Sequence, residues 1–153
     1  MAHCISLHVV LTALDAVLRL YRDPERLTQN LPTLRLLTRS MLEIDSTAKS
    51  LLPAVEHALA GHVTVTIKPC HSQIGSGSLP VDLLPSVCLS ITPRIRGKGE
   101  GSVLRKIEQA FRQLPVPVLG RIAEGAFCLD VRCLEDKYVN EFIVQLGQLT
   151  LMI

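Results

Sequence analysis

The chain has 153 residues, 48% hydrophobic and 20% charged, with nine Gly and nine Pro. That is enough apolar residues for one core, and it excludes a disordered, collagen-like or low-complexity chain. Net charge is +2 and the pI about 8.3, too mild to imply nucleic acid or an acidic membrane as partner. Only 3% of residues are aromatic and none is Trp. The core is therefore aliphatic, and no stacking platform for single-stranded nucleic acid is expected.

Leu7, Leu11, Leu14, Leu18 and Tyr21 recur at helical spacing and predict an opening helix. The apolar run Met1–Leu20 has no basic residue ahead of it, is interrupted by Asp15 and is closed by Arg19 and Arg22. That order fits neither a signal peptide nor a membrane span, so no membrane partner is expected. Asp23-Pro24 stops this helix and starts a short turn through Thr28. Pro32 restarts a helix whose apolar positions, from Leu34 to Leu59, step by three or four. Pro53 lies inside that pattern and is expected to kink or split it near Leu51, and Gly61 to end it.

The period then changes to two. Val63, Val65 and Ile67 alternate with Thr64, Thr66 and Lys68, a half-buried strand. Residues 71–80 read as a loop, and Val87, Leu89 and Ile91 as a second strand ended by Pro93. A polar loop, 94–101, leads to a helix over 103–114 with Ser102 as its cap. Pro117–Ile122 and Ala126–Val131 flank a turn in which Gly125 is free to take positive φ, a hairpin signal. A last helix spans about 135–149. The order is long helices, then β-β-α-β-β-α. That predicts an α+β fold, its mostly antiparallel sheet covered on one face, with residues 1–61 a helical connecting segment and 62–153 a small α+β domain.

Five Cys (Cys4, Cys70, Cys88, Cys128, Cys133) with no C-x-x-C are read as reduced thiols of a cytoplasmic protein. No His, Cys or carboxylate spacing suggests a metal, and no nucleophile–base pair or catalytic residue is identified. Asp130, Glu135 and Asp136 cluster near a strand end, without a spacing that makes them a working pair. Gly75-Ser76-Gly77-Ser78, just after Gln73, could offer backbone N–H groups to an anion. It lacks the P-loop ending, and taken alone a plain connection is the better reading. Arg94, Arg96, Lys98, Arg105 and Lys106 form a basic stretch, diluted by Glu100 and Glu108, that could touch phosphates.

Five strings, in order, carry a resemblance: Leu11–Tyr21 (LTALDAVLRLY), Leu31–Arg39 (LPTLRLLTR), Ser72–Asp82 (SQIGSGSLPVD), Leu114–Ile122 (LPVPVLGRI) and Leu129–Asp136 (LDVRCLED). Over about Leu11–Asp136 the chain resembles the C-terminal part of bacterial selenocysteine synthase, L-seryl-tRNA(Sec) selenium transferase. The resemblance implies the small C-terminal domain of a fold-type-I pyridoxal phosphate enzyme. It implies seryl-tRNA(Sec) and selenophosphate as substrates for making selenocysteinyl-tRNA(Sec), and large homo-oligomers. It also makes Gln73, Gly75, Ser76, Gly77 and Ser78 a substrate-side loop, and leaves Arg94, Arg96 and Lys98 as candidate phosphate contacts.

The family's Schiff-base lysine belongs to a large domain upstream of everything here, and Lys49, Lys68, Lys98, Lys106 and Lys137 do not match its motif. Met1–Val10 lacks the basic stretch with Asp-Lys that family members carry before this helix. The expectation is a C-terminal remnant that self-associates, holds no pyridoxal phosphate by itself and is inactive alone. The competing expectation is a non-catalytic module that binds a partner protein or RNA through Arg94–Lys106.

Overall fold

A computed structural model describes residues 2–59, 61, 63–73, 83–94, 97 and 99–150. It divides into two compact units, Met1–Arg39 and Ser40–Ile153. The first holds α1 (Ala2–Leu20), α2 (Pro24–Asn30) and α3 (Pro32–Leu37). Asp23 occupies the N-cap of α2 and Pro24 its first position, so φ is pre-set where an N–H would go unused. The Asp23 carboxylate makes no cap bond and pairs with Arg26 at 3.7 Å.

The second unit holds α4 (Met41–Ala58), β1 (Val63–Gln73), β2 (Leu83–Pro93), α5 (Glu100–Arg112), β3 (Arg121–Ala123), β4 (Ala126–Asp130) and α6 (Asp136–Leu146). The four strands form one sheet, ordered β1-β2-β4-β3, with every pair antiparallel. This is the α+β class and element order expected from the periodicities.

The long helical pattern over 34–59 is two helices. Ser40 begins α4: its hydroxyl accepts from Glu43 N, and the Glu43 carboxylate accepts from Ser40 N at 2.8 Å. That Ser-x-x-Glu capping box is legible in the sequence and marks a helix start inside the apolar run. α4 then continues through Pro53, which is exposed, so the carbonyl deprived of its donor lies on the solvent side. Ile44, Ala48, Leu51 and Val55 of α4 are buried with Val65, Leu89 and Ile91 of the sheet. Compactness therefore divides after Arg39, where the sequence pattern suggests a change after residue 61.

Other boundaries differ from expectation: β1 runs through Gln73, paired with Leu83, where a loop was expected from residue 71, and α6 ends at Leu146 rather than 149. α5 starts at Glu100 behind Gly99, whose φ of 110° only Gly adopts readily, so Ser102 is inside the helix rather than its cap. β3 is limited to Arg121–Ala123: Pro117 has no N–H to give a ladder, and Val118 N donates instead to Phe111 O at 3.0 Å. Its turn, Glu124-Gly125, has both residues at positive φ, 51° and 71°, the geometry of a two-residue hairpin.

Pairing sorts the side chains by face. Val65, Ile91 and Phe127 stand in one row beneath the helices, and Phe111 of α5 meets Phe127 with centroids 5.5 Å apart. The opposite face carries Thr66, Ser90, Cys128 and Arg121 in one row, Lys68, Cys88 and Asp130 in the next, and Cys70 with Ser86 beyond. Among the described residues no helix is long and apolar enough to cross a membrane.

Candidate functional site

The sequence places its substrate-side loop between β1 and β2. Gln73 is the last residue of β1, paired with Leu83. Gly75, Ser76, Gly77 and Ser78 lie outside the described residues, as do Arg96 and Lys98. What is described is the base from which that loop springs, and it is a polar knot.

Asp130 is its centre. One carboxylate oxygen accepts from Ser72 Oγ at 2.5 Å, the other from Ser86 Oγ at 2.6 Å and from Arg132 N at 3.1 Å. The last of these bonds makes Asp130 the N-cap of a single 3-10 turn, Val131–Cys133. That turn aims the Arg132 side chain back at the hairpin, where its guanidinium donates to the carbonyl of Pro85. Arg132 and Ser86 are both buried. Both strands leaving the loop are thus tied to the end of β4, Ser72 from β1 and Pro85 and Ser86 from β2. Buried polar groups need such partners, and here they fix where the loop emerges.

Beside the knot lie three thiols. Cys88, on the central strand β2, lies beside Cys70 on β1 and Cys128 on β4 in one groove. Burial pushes the Cys88 thiol up to about 12, reinforced by negative charge on either neighbouring thiol. Burial also raises Cys70, with the Asp130 carboxylate as the second cause. Cys70 and Cys88 are therefore protonated thiols at neutral pH and poor nucleophiles. Lys68, Arg121 and the thiols line a groove of about 360 Å³ on this face. A larger apolar cavity of about 460 Å³ lies on the helical side, lined by Leu51, Leu129, Val118, Tyr138 and Phe142. Gln145 closes part of it by accepting from Val116 N at 3.0 Å.

The remaining sequence candidates separate. Arg94 Nε donates to Val63 O at 3.1 Å, which ties this exposed residue to the start of β1. The three carboxylates do not converge: Asp130 serves the knot, Asp136 accepts from Thr47 Oγ1 at 3.2 Å, and Glu135 pairs with Lys137 at 3.6 Å. Among the described residues no group of three His, Cys or carboxylates could hold a metal ion. A pyridoxal phosphate aldimine needs an enclosed lysine amine. Lys49, Lys68, Lys106 and Lys137 are all exposed, and Lys49 is paired with Asp45 at 2.6 Å. The described residues do not fit that cofactor's covalent anchor.

The roles of Ser72, Ser86 and Arg132 are not marked by periodicity or by any motif along the chain. The available signal was their position: Ser72 opens one of the five strings, and Asp130 and Arg132 belong to another.

Comparison with known proteins places these strings in context. A family model described as L-seryl-tRNA selenium transferase matches residues 6–135. The chain is 48% identical over 129 residues to the L-seryl-tRNA(Sec) selenium transferase of Yersinia enterocolitica, 49% to that of Serratia proteamaculans and 50% to that of Salmonella arizonae. Each match takes in 84% of this chain and 27% of the relative, so the chain spans about a quarter of the length of these curated relatives.

Proposed function

The chain belongs to the L-seryl-tRNA selenium transferase family, and from that membership we propose that it is the small C-terminal domain of an enzyme that makes selenocysteinyl-tRNA(Sec) from seryl-tRNA(Sec) and selenophosphate. On this reading the 1–61 segment connects it to a large domain, and it works in the cytoplasm as part of a self-associating assembly. Pyridoxal phosphate, when bound by that large domain, supplies the electron sink for exchanging the seryl hydroxyl. This chain's residues do positioning: the Asp130 knot holds the ends of β1 and β2, and so presents Gln73 and Gly75–Ser78 on the substrate side.

The observation that carries the reading is the coincidence of string and contact. Ser72, Asp130 and Arg132 come from two of the family-like strings and meet at one place, the base of the loop that another part of the same string forms. Arg94, Arg96 and Lys98 are assigned to phosphate contacts by the same reading.

The test joins residues 11–153 to the large domain of a complete relative and assays seryl-tRNA conversion. Activity is expected in the chimera and not in the lone chain. Turnover by the lone chain, or one stoichiometric pyridoxyl-lysine in it after borohydride reduction, overturns the reading of a positioning domain. A folded but inert chimera that binds RNA through Arg94–Lys106 favours the interaction-module reading instead.

A further inference from the structure

We propose that the cavity on the helical side of the sheet is a binding site for a small neutral molecule, mostly apolar, that carries a carbonyl oxygen as hydrogen-bond acceptor. The site is separate from the transfer chemistry proposed above, so its failure leaves the family reading standing.

The cavity holds about 460 Å³, within the range of roughly 300–1,000 Å³ usual for small-molecule sites. Its floor is core, where Leu51 of α4, Leu89 of β2 and Leu129 of β4 are buried. Val116 and Tyr138 stand exposed at its rim. Every lining residue belongs to the unit Ser40–Ile153, so the walls are those of one compact body.

One polar group in this apolar wall selects the ligand. Gln145 of α6 lines the cavity and is only 6% exposed. Its Oε1 accepts from Val116 N at 3.0 Å, which fixes the amide: the oxygen faces that N–H, and the Nε2 donors form the other end. Nε2 has no hydrogen-bond partner among the described residues. A donor placed alone in an apolar pocket orients a ligand that brings an acceptor. Charge narrows the class further. Asp130 and Glu141 line the cavity and, among the described residues, no Lys, Arg or His does. That lining disfavours an anion and so separates this site from the phosphate contacts proposed above. A cation would lose its hydration over the apolar floor and meet amide donors instead of an acceptor. A neutral molecule with a carbonyl oxygen suits both the floor and Nε2.

Acetophenone, a small aromatic ketone, is the probe, titrated into the whole 153-residue chain and followed by protein NMR. Saturable shifts are expected at the methyl groups of Leu51, Val118 and Leu129 and at the side-chain amide protons of Gln145. Gln145→Glu keeps an acceptor for Val116 N and replaces the donor end by a carboxylate oxygen. It should weaken acetophenone binding by about tenfold or more, the loss of one hydrogen bond. The same change should strengthen binding of benzylammonium, whose N–H groups then meet an acceptor. Val118→Phe narrows the cavity and should weaken both probes, which keeps the test open if the buried carboxylate unfolds the other variant. Urea unfolding reports whether each variant is still folded. The titration is repeated on the chimera with the large domain of a complete relative, where binding should persist. Four results overturn the proposal: no saturable binding up to the solubility of acetophenone, shifts at Leu51 and Leu129 that leave the Gln145 amide protons unmoved, binding indifferent to either substitution in a folded variant, or binding by the lone chain that is lost in the chimera. The last would make the cavity the seat of a large-domain side chain.

Discussion

Ser72 Oγ donates to Asp130 Oδ2 at 2.5 Å, joining two residues 58 positions apart over the top of β2, the strand between them. Ser86 on that strand donates to the other oxygen of the same carboxylate. One acidic side chain therefore holds three strands in register where the loop departs.

Removing that carboxylate should be costly. Asp130→Ala leaves the buried Ser86 hydroxyl and the Arg132 N–H without their acceptor, and each such loss in a folded protein costs on the order of 1–3 kcal/mol. A destabilisation of about 2 kcal/mol is expected from urea unfolding, together with reduced turnover when the change is made in an active chimera. Stability within 0.5 kcal/mol of the parent, a range roughly that of ordinary surface changes, would mean the knot is incidental.

The raised thiols give a pH dependence with a definite sign. An ordinary cysteine titrates near 9.0, and Cys88 in the fold near 12. The folded state therefore holds its proton where the unfolded chain has released it. The stability this contributes is complete below pH 9 and is lost as pH rises toward 12. Unfolding free energy should fall more steeply across that window in the parent than in Cys88→Ala. Iodoacetamide at mildly alkaline pH should label the exposed Cys133 well before Cys88. Equal labelling rates would contradict the buried, protonated thiol.

Two glycines should respond oppositely to alanine. A Cβ at Gly120 would sit 2.6 Å from the Phe127 ring and 2.7 Å from the Cys128 carbonyl, so Gly120→Ala should destabilise by about 1–3 kcal/mol through overpacking. Gly101, inside α5, has open space around its Cβ position, and Gly101→Ala should stabilise by about 0.4–1 kcal/mol. Thermal unfolding of the two variants separates them by sign, and a stabilising Gly120→Ala would refute the packing described for β4.

The start of α4 offers a local test. Ser40→Ala removes the hydroxyl that accepts from Glu43 N and should cost about 0.5–2 kcal/mol. Ser40→Asp, which restores an acceptor, should recover most of it. Hydrogen exchange confined to the first turn of α4 would locate the effect, and uniform loss of protection through the sheet would not fit a cap.

Local chemistry is what a sequence carries most directly, and here it reached the elements and their order. Periods of three to four and of two marked the helices and strands, Gly125 marked the hairpin turn, and five ordered strings marked the family. The capping box at Ser40 and Glu43 was equally local, and it corrects the single long helix suggested by apolar spacing alone. What the sequence left undecided was every relationship between residues far apart in the chain. The placement of β4 beside β2 depends on Ile91 meeting Phe127 beneath α5, and α4 joins the sheet because Ile44, Ala48, Leu51 and Val55 have their burial there. Asp130 looked like one of three clustered acids until the fold brought Ser72 and Ser86 to it and sent Asp136 to Thr47. Propensity and capping act within a few residues and can be read along the chain. Strand order, the hydrogen bonds to Asp130 and the raised thiols arise from burial of groups brought together only when the sheet closes, so only the tertiary structure decided them.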